Sequence, residues 1–239
     1  MPGFSYNFNN ISDYAKEFKF VEINTTFYKI HDKTVFDNWY NNTPYNFKFI
    51  IKIPRMFTHM YKLNNFKTLW KSFYNIVSKH LKEKLYAFLF QFPSNFIYND
   101  NNINKLLLLN SITNQYVIIE FRHYSWFDEP HKILTLQKNF NKNISISNIC
   151  GASFVIKNIK KKNILAFTTN KIIYIRLHGT TDAYNGSHKY DFKILLDFIH
   201  NNYNKNHIFI FIFNNTTNNF AFKDILLFNN YLTKKLSLN

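Results

Sequence analysis

The segment FKFIIKIP (Phe47–Pro54) is apolar on both faces of an extended chain, and it is one of several. YAFLFQFP (Tyr86–Pro93), YVIIEFR (Tyr116–Arg122), KIIYIRLHG (Lys171–Gly179) and HIFIFIFN (His207–Asn214) share the pattern. FKFVEINTTF (Phe18–Phe27) reads as a further strand, and a weaker one lies near Ile144–Ser147. Strands apolar on both faces need cover on both faces, which is the condition of a parallel sheet flanked by helices. Helical segments fall between them. DKTVFDNWYNN (Asp32–Asn42) has Asp32 as its expected N-cap. NFKTLWKSFYNIVSKHL (Asn65–Leu81) repeats Phe66, Leu69, Trp70, Phe73, Ile76 and Val77 at helical spacing. Further helices are expected around Ile103–Ile112, over Glu129–Asn139 with Pro130 in the first turn, over Asp191–Tyr203 and over Phe222–Leu236.

Seven strands alternating with helices in 239 residues predict the α/β class and a TIM-type (β/α) barrel as a single domain over 1–239. Such barrels take roughly 250 residues, so the first strand is expected to be truncated or missing, reduced to PGFSY (Pro2–Tyr6). An open doubly wound sheet is the alternative, but its Gly-rich phosphate turn is absent. With Gly only at 3, 151, 179 and 186, the chain has no P-loop, dinucleotide fingerprint or nucleophile elbow.

The strands share a second property. Side chains alternate faces along a strand, and a two-residue step carries each strand from apolar to polar. Glu22, Asn24 and Thr26 share a face, Lys52 follows Ile50, and Gln91 follows Leu89. Glu120 and Arg122 follow Ile118, Arg176 and His178 follow Tyr174, and Asn214 follows Ile212. Ile119 and Phe121 are expected to face the helices, with His123 at the rim and Trp126 packed over the mouth. In a barrel these ends form the C-terminal mouth, where active sites sit. Two carboxylates, Glu22 and Glu120, stand against Lys52, Arg122 and Arg176. The cluster is either an internal network or a seat for a phosphate or carboxylate.

The formal charge of +16 points two ways. It fits a nucleic-acid binder, and it fits coding bias in a chain crowded with Asn, Lys, Ile, Phe and Tyr. The bias acts as a filter. Lysine replaces a surface arginine easily but not a bidentate guanidinium, so the three arginines, Arg55, Arg122 and Arg176, are expected to be held by geometry. The single cysteine, Cys150, rules out an internal disulfide and reads as a small buried hydrophobe. No secretory signal or apolar span is readable, so no membrane is expected and the cytoplasm is the default location.

The stretches VEINTTFYKI, TVFDNWYNNTPYNFKFIIKIPRMFTH, FLFQFP, IEFRHYSWF, YIRLHG with YNGSHKYD, and FIFNNTTNNFAFKDILLF run in order over nearly the whole chain. In these the chain resembles the domain-of-unknown-function family 72, the YecE-like proteins, whose fold is a TIM-type barrel. The resemblance singles out Glu22, Asn24, Tyr28, Lys52, Pro54, His59, Gln91 and Pro93. It adds Glu120, Arg122, His123, Trp126, Arg176, His178, Gly179, Asn214 and Asn215. Two departures stand out: GFSY (Gly3–Tyr6) is all that remains of the opening motif, and Asn148 stands where the family often has Asp.

Three functions follow as expectations. The first is an acid/base enzyme on an anionic small molecule, without a cofactor. Glu22, Glu120, His178 and His59 would be its catalytic groups. Asn24, Tyr28, Lys52, Gln91, Arg122, His123, Trp126, Arg176 and Asn214 would bind substrate. The second is a metal-dependent phosphodiesterase with a divalent metal held among Glu22, Glu120, His59, His123 and His178. The third is a non-catalytic binder of nucleic acid or a metabolite. TDAYNGSHKYD (Thr181–Asp191) is expected as a surface loop, with a mobile lid as the alternative.

Overall fold

The computed structural model describes residues 10–150, 172–181, 184–202 and 207–236. Contacts divide the chain into two compact units, Phe8–Ser145 and a second that runs on from Ile146.

In the first unit the order is α1 (Ile11–Glu17), β1 (Phe20–Ile23), α2 (Lys33–Asn41), β2 (Lys48–Lys52), α3 (Phe66–Leu81), β3 (Leu85–Gln91), α4 (Asp100–Leu107), β4 (Tyr116–Glu120) and α5 (Pro130–Lys138). With β5 (Ile144–Ile146) the strands form one five-stranded sheet in sequential order. The β1–β2, β2–β3 and β3–β4 ladders are parallel. The second unit holds β6 (Asn148–Cys150), β7 (Ile172–Leu177), α6 (Phe192–Asn202), β8 (Ile208–Phe213) and α7 (Phe220–Leu236), its three strands also parallel.

The fold is therefore α/β with parallel sheets, as the apolar strands predict. Among the described residues the ladders make two open sheets rather than a closed ring. The expected stub of a first strand, Pro2–Tyr6, lies outside the described residues.

The core shows why these sequences become these elements. Helix α3 buries Phe66, Trp70, Phe73, Val77 and Leu81, one stripe at steps of three and four. That stripe meets the face of β3 that carries Phe88 and Phe90: Trp70 lies 4.9 Å from Phe88 and 5.6 Å from Phe90, ring centre to ring centre. The Trp70 indole N–H also donates to the Ile112 carbonyl at 2.9 Å. The opposite face carries Ile50, Ala87, Leu89 and Ile118, all fully buried. In the second unit Phe228 of α7 packs on Phe211 and Phe213 of β8 in the same manner.

Two local expectations change. Asp32 precedes α2 but its side chain makes no capping hydrogen bond. The strand read over Phe18–Phe27 stops at Ile23 and the chain turns into a 3₁₀ segment, Thr25–Phe27. The cause is Thr26, whose buried hydroxyl reaches the carbonyls of Ile23 and Lys52. After β2 the chain makes a π-helical turn, Met56–Met60, closed by the Tyr61 N–H on the Met56 carbonyl at 2.9 Å. Such turns are rare and frequent at functional sites.

Candidate functional site

The parallel register settles which residues share a face. Glu22 lies opposite Ile50, Ile50 opposite Ala87, Lys52 opposite Leu89, Leu89 opposite Ile118, and Gln91 opposite Glu120. Each step of two preserves the face. Glu22, Lys52, Gln91 and Glu120 therefore stand on one face of one sheet, at or near the C-terminal ends of four consecutive strands, on the side away from α3.

Their contacts are specific. Glu120 is fully buried, and its carboxylate accepts from Nε and Nη2 of Arg122, a two-pronged ion pair. The same Nη2 lies 3.5 Å from Oε1 of Gln91. Glu22 is buried and accepts from the Asn24 amide at 3.0 Å. Lys52 is buried, with its ammonium 4.1 Å from the centre of the Phe27 ring, a cation–π contact. The edge of that ring meets His59 at 5.0 Å, centre to centre. The π-helical turn thus delivers His59 to the charged cluster.

The electrostatics at His59 are one-sided. Burial is the largest cause that depresses its imidazole, and Lys52, Arg55 and Arg122 each add to it, bringing the pKa down to about 4. A pKa that low favours the uncharged ring at neutral pH, which can both donate and accept a hydrogen bond. This has a consequence for stability. The unfolded histidine takes up a proton near pH 6.5, while the folded one resists until about 4. Stability is retained above pH 6.5 and falls as pH drops from 6.5 towards 4. The drop in urea midpoint between pH 7 and pH 5 should be smaller in His59→Gln than in the parent chain.

Other expected site residues sit elsewhere. Tyr28 is 77 % exposed and lies on the rim, its ring 5.1 Å from Phe27. His123 caps the 3₁₀ segment Tyr124–Trp126, its Nδ1 accepting from the Ser125 N–H at 3.1 Å. Trp126 does not cover the mouth. It is fully buried, stacked on Phe121 at 4.0 Å and Phe96 at 5.7 Å, and its indole N–H donates to the Phe96 carbonyl. Phe121 is the neighbour that alternation turns away from Glu120, so Trp126 braces the back of the segment.

In the second unit Arg176, His178 and Asn214 meet at the ends of β7 and β8. Asn214 is the register partner that follows Phe213, as His178 follows Leu177. With its carboxamide turned so that the oxygen faces the guanidinium, Asn214 accepts from Nε of Arg176 at 3.2 Å and from Nη2 at 2.9 Å. Nε2 of His178 lies 3.5 Å from Nη1 of Arg176. All three side chains are buried.

The segment after β7 is held at its His188 end by several hydrogen bonds. His188 is fully buried; its Nε2 accepts from the Gly179 N–H at 2.9 Å and its Nδ1 faces the Asp191 carboxylate at 2.9 Å. An acceptor Nε2 places the ring proton on Nδ1. Asp224 of α7 holds the same segment through the Ser187 hydroxyl, the His188 N–H and the Asn215 amide. Gly179, at φ 100°, has no room for a side chain, since a Cβ would fall on the backbone of Asn185.

Among the described residues no three of His, Cys, Asp and Glu gather as metal ligands. Glu120 is engaged by Arg122, and His123 by Ser125, which accounts for two of the five groups expected around a divalent ion. No described helix is long and apolar enough to cross a membrane.

A parallel α/β scaffold with charged side chains at the C-terminal ends of its strands defines a class in which ligands are received at that end of the sheet. The chain belongs to the family described as protein of unknown function DUF72, whose model matches residues 5–238. A DUF72 family protein from Enterococcus faecalis V583 has a similar crystal structure, with a TM-score of 0.81 and 18% identity over 95% of this chain and 90% of that one. A second crystal structure described in the same way, from the same organism, gives a TM-score of 0.77 and 20% identity over 97% and 95%. One from Thermotoga maritima MSB8 gives 0.73 and 23% over 90% and 85%. None of the curated proteins matches.

Arg55 and Phe27 were not singled out as site residues by strand-end reasoning. The scarcity of arginine already marks Arg55. Phe27 carries no such signal, because its role comes from the turn that Thr26 makes.

Proposed function

We propose that this DUF72 protein binds a phosphate- or carboxylate-bearing small molecule at the C-terminal ends of β1–β4 and transforms it by acid/base chemistry. The observation that carries the reading is the charge count around His59. Three cations, Lys52, Arg55 and Arg122, act on one imidazole, and among the described residues the neighbouring strands supply two carboxylates, Glu22 and Glu120. Guanidinium and ammonium groups at strand ends suit an anionic ligand. Glu120 is committed to the Arg122 fork. Glu22, which takes a neutral amide from Asn24, is assigned as the acid/base. Lys52, Arg122 and Gln91 hold the anion, and neutral His59 hydrogen-bonds it, a division of roles known from other barrel sites. Arg176, His178 and Asn214 are proposed as binding residues of the second unit taken by itself.

With this reading goes the expectation of a single TIM-type barrel domain. Among the described residues eight short strands, those with a defined direction parallel and most followed by a helix, support it.

Calorimetric titration with inorganic phosphate and with sulfate tests the site. Saturable binding is expected, weakened about tenfold or more by Lys52→Met and by Arg122→Met, the loss of roughly one strong ionic contact each. Glu22→Gln should retain the anion but abolish turnover of any ester that the parent chain hydrolyses or isomerises. Absence of saturable binding, or binding indifferent to both cation variants, overturns the proposal.

A further inference from the structure

The segments that leave the C-terminal ends of the strands in the first unit carry exposed apolar side chains. Ten large hydrophobic side chains are exposed among its described residues, and six of them lie in segments that follow the C-terminal ends of β1–β4: Tyr28, Ile30, Met60, Tyr61, Ile97 and Tyr124. Single exposed hydrophobics are ordinary on any protein. Concentration at the end of the sheet that also carries the buried charges is not what scattered exposure produces.

Phe27 joins rim to centre. One ring receives the Lys52 ammonium over its face at 4.1 Å, His59 at 5.0 Å and Tyr28 at 5.1 Å. The 77 % exposed Tyr28 ring therefore lies one aromatic contact away from the cationic site, and Met60, 62 % exposed, follows His59 directly in the chain. A ligand that met only the charges would leave this shelf in water. A ligand with an aromatic plane attached to its anionic group would cover both.

We infer that the anion taken at this site is carried on an aromatic or heterocyclic ring, as in an aryl phosphate or a nucleoside monophosphate, and that Tyr28 and Met60 receive the ring while the cations receive the phosphate. The inference rests on the anion-binding reading above. Ring stacking on an exposed tyrosine gives selectivity without hydrogen-bond readout, because every such ring has a π face.

The test is a calorimetric series on the full chain with inorganic phosphate, ribose 5-phosphate, phenyl phosphate and a nucleoside monophosphate. A ring-bearing ester should bind about tenfold tighter than ribose 5-phosphate. Whether phenyl phosphate or the nucleotide gains more identifies the source of the ring. Tyr28→Ala should bring the ratio of ring-bearing to ring-free affinity close to one, and Tyr28→Phe should keep it. If inorganic phosphate binds but the rings add nothing, this inference falls and the anion site stands. If no phosphate binds, both fall. A dimer in sedimentation that Tyr28→Ala dissolves would assign the apolar rim to a second copy of the chain and also overturn the inference.

Discussion

Replacing Glu120 by alanine is expected to lower stability by about 3–5 kcal/mol, the cost of leaving a buried guanidinium without its counter-charge. Glu120 has no exposed surface and Arg122 little, and two guanidinium nitrogens donate to one carboxylate. Solvent cannot screen such a pair as it screens surface pairs, which contribute well under about 1 kcal/mol. The sharper measurement is the double variant Glu120→Gln/Arg122→Met, which removes both charges. It should recover most of the loss in urea unfolding, because buried pairs are often replaceable by neutral groups of similar size. A single-variant loss below about 1 kcal/mol would mean that Arg122 reaches water, and the buried-pair account would fail.

Asp224→Ala is expected to cost a comparable amount, about 3–5 kcal/mol, by a different route. One carboxylate accepts from the Ser187 hydroxyl, the His188 N–H and the Asn215 amide. Each buried donor left without its acceptor costs about 1–3 kcal/mol. The effect should be local as well as global. His188 accepts from the Gly179 N–H, so loosening His188 exposes that amide. Hydrogen exchange at Gly179 and His188 should accelerate in Asp224→Ala more than exchange in β2 and β3 of the first unit. Uniform acceleration across both units would show that Asp224 serves general stability and not the placement of this segment.

Much of this is legible in the sequence. Alternation puts Glu22, Lys52, Gln91 and Glu120 on the polar face of their strand ends, and the parallel register brings them to one face of one sheet. The pairs Glu120–Arg122 and Arg176–His178 follow from the same two-residue step. What stayed hidden depends on tertiary contact. The end of β1 is set by a threonine hydroxyl reaching β2, and no local pattern records that. Trp126 reads as a rim residue from its position but stacks on Phe121 because ring faces seek one another in the core. His188 reads as part of a surface loop because two of its partners, Gly179 and Asp224, lie outside that stretch of sequence. The short strand β6 escaped notice because three residues are too few to show a period.

The scarcity of arginine has a practical side. The chain carries 27 lysines and three arginines. Arg122 and Arg176 are buried, and Arg55 is exposed beside the turn that carries His59. A dicarbonyl reagent selective for guanidinium groups therefore meets one accessible target in the described protein, at the edge of the candidate site. The molecule supplies its own single-point label there, with the lysine-rich surface silent around it.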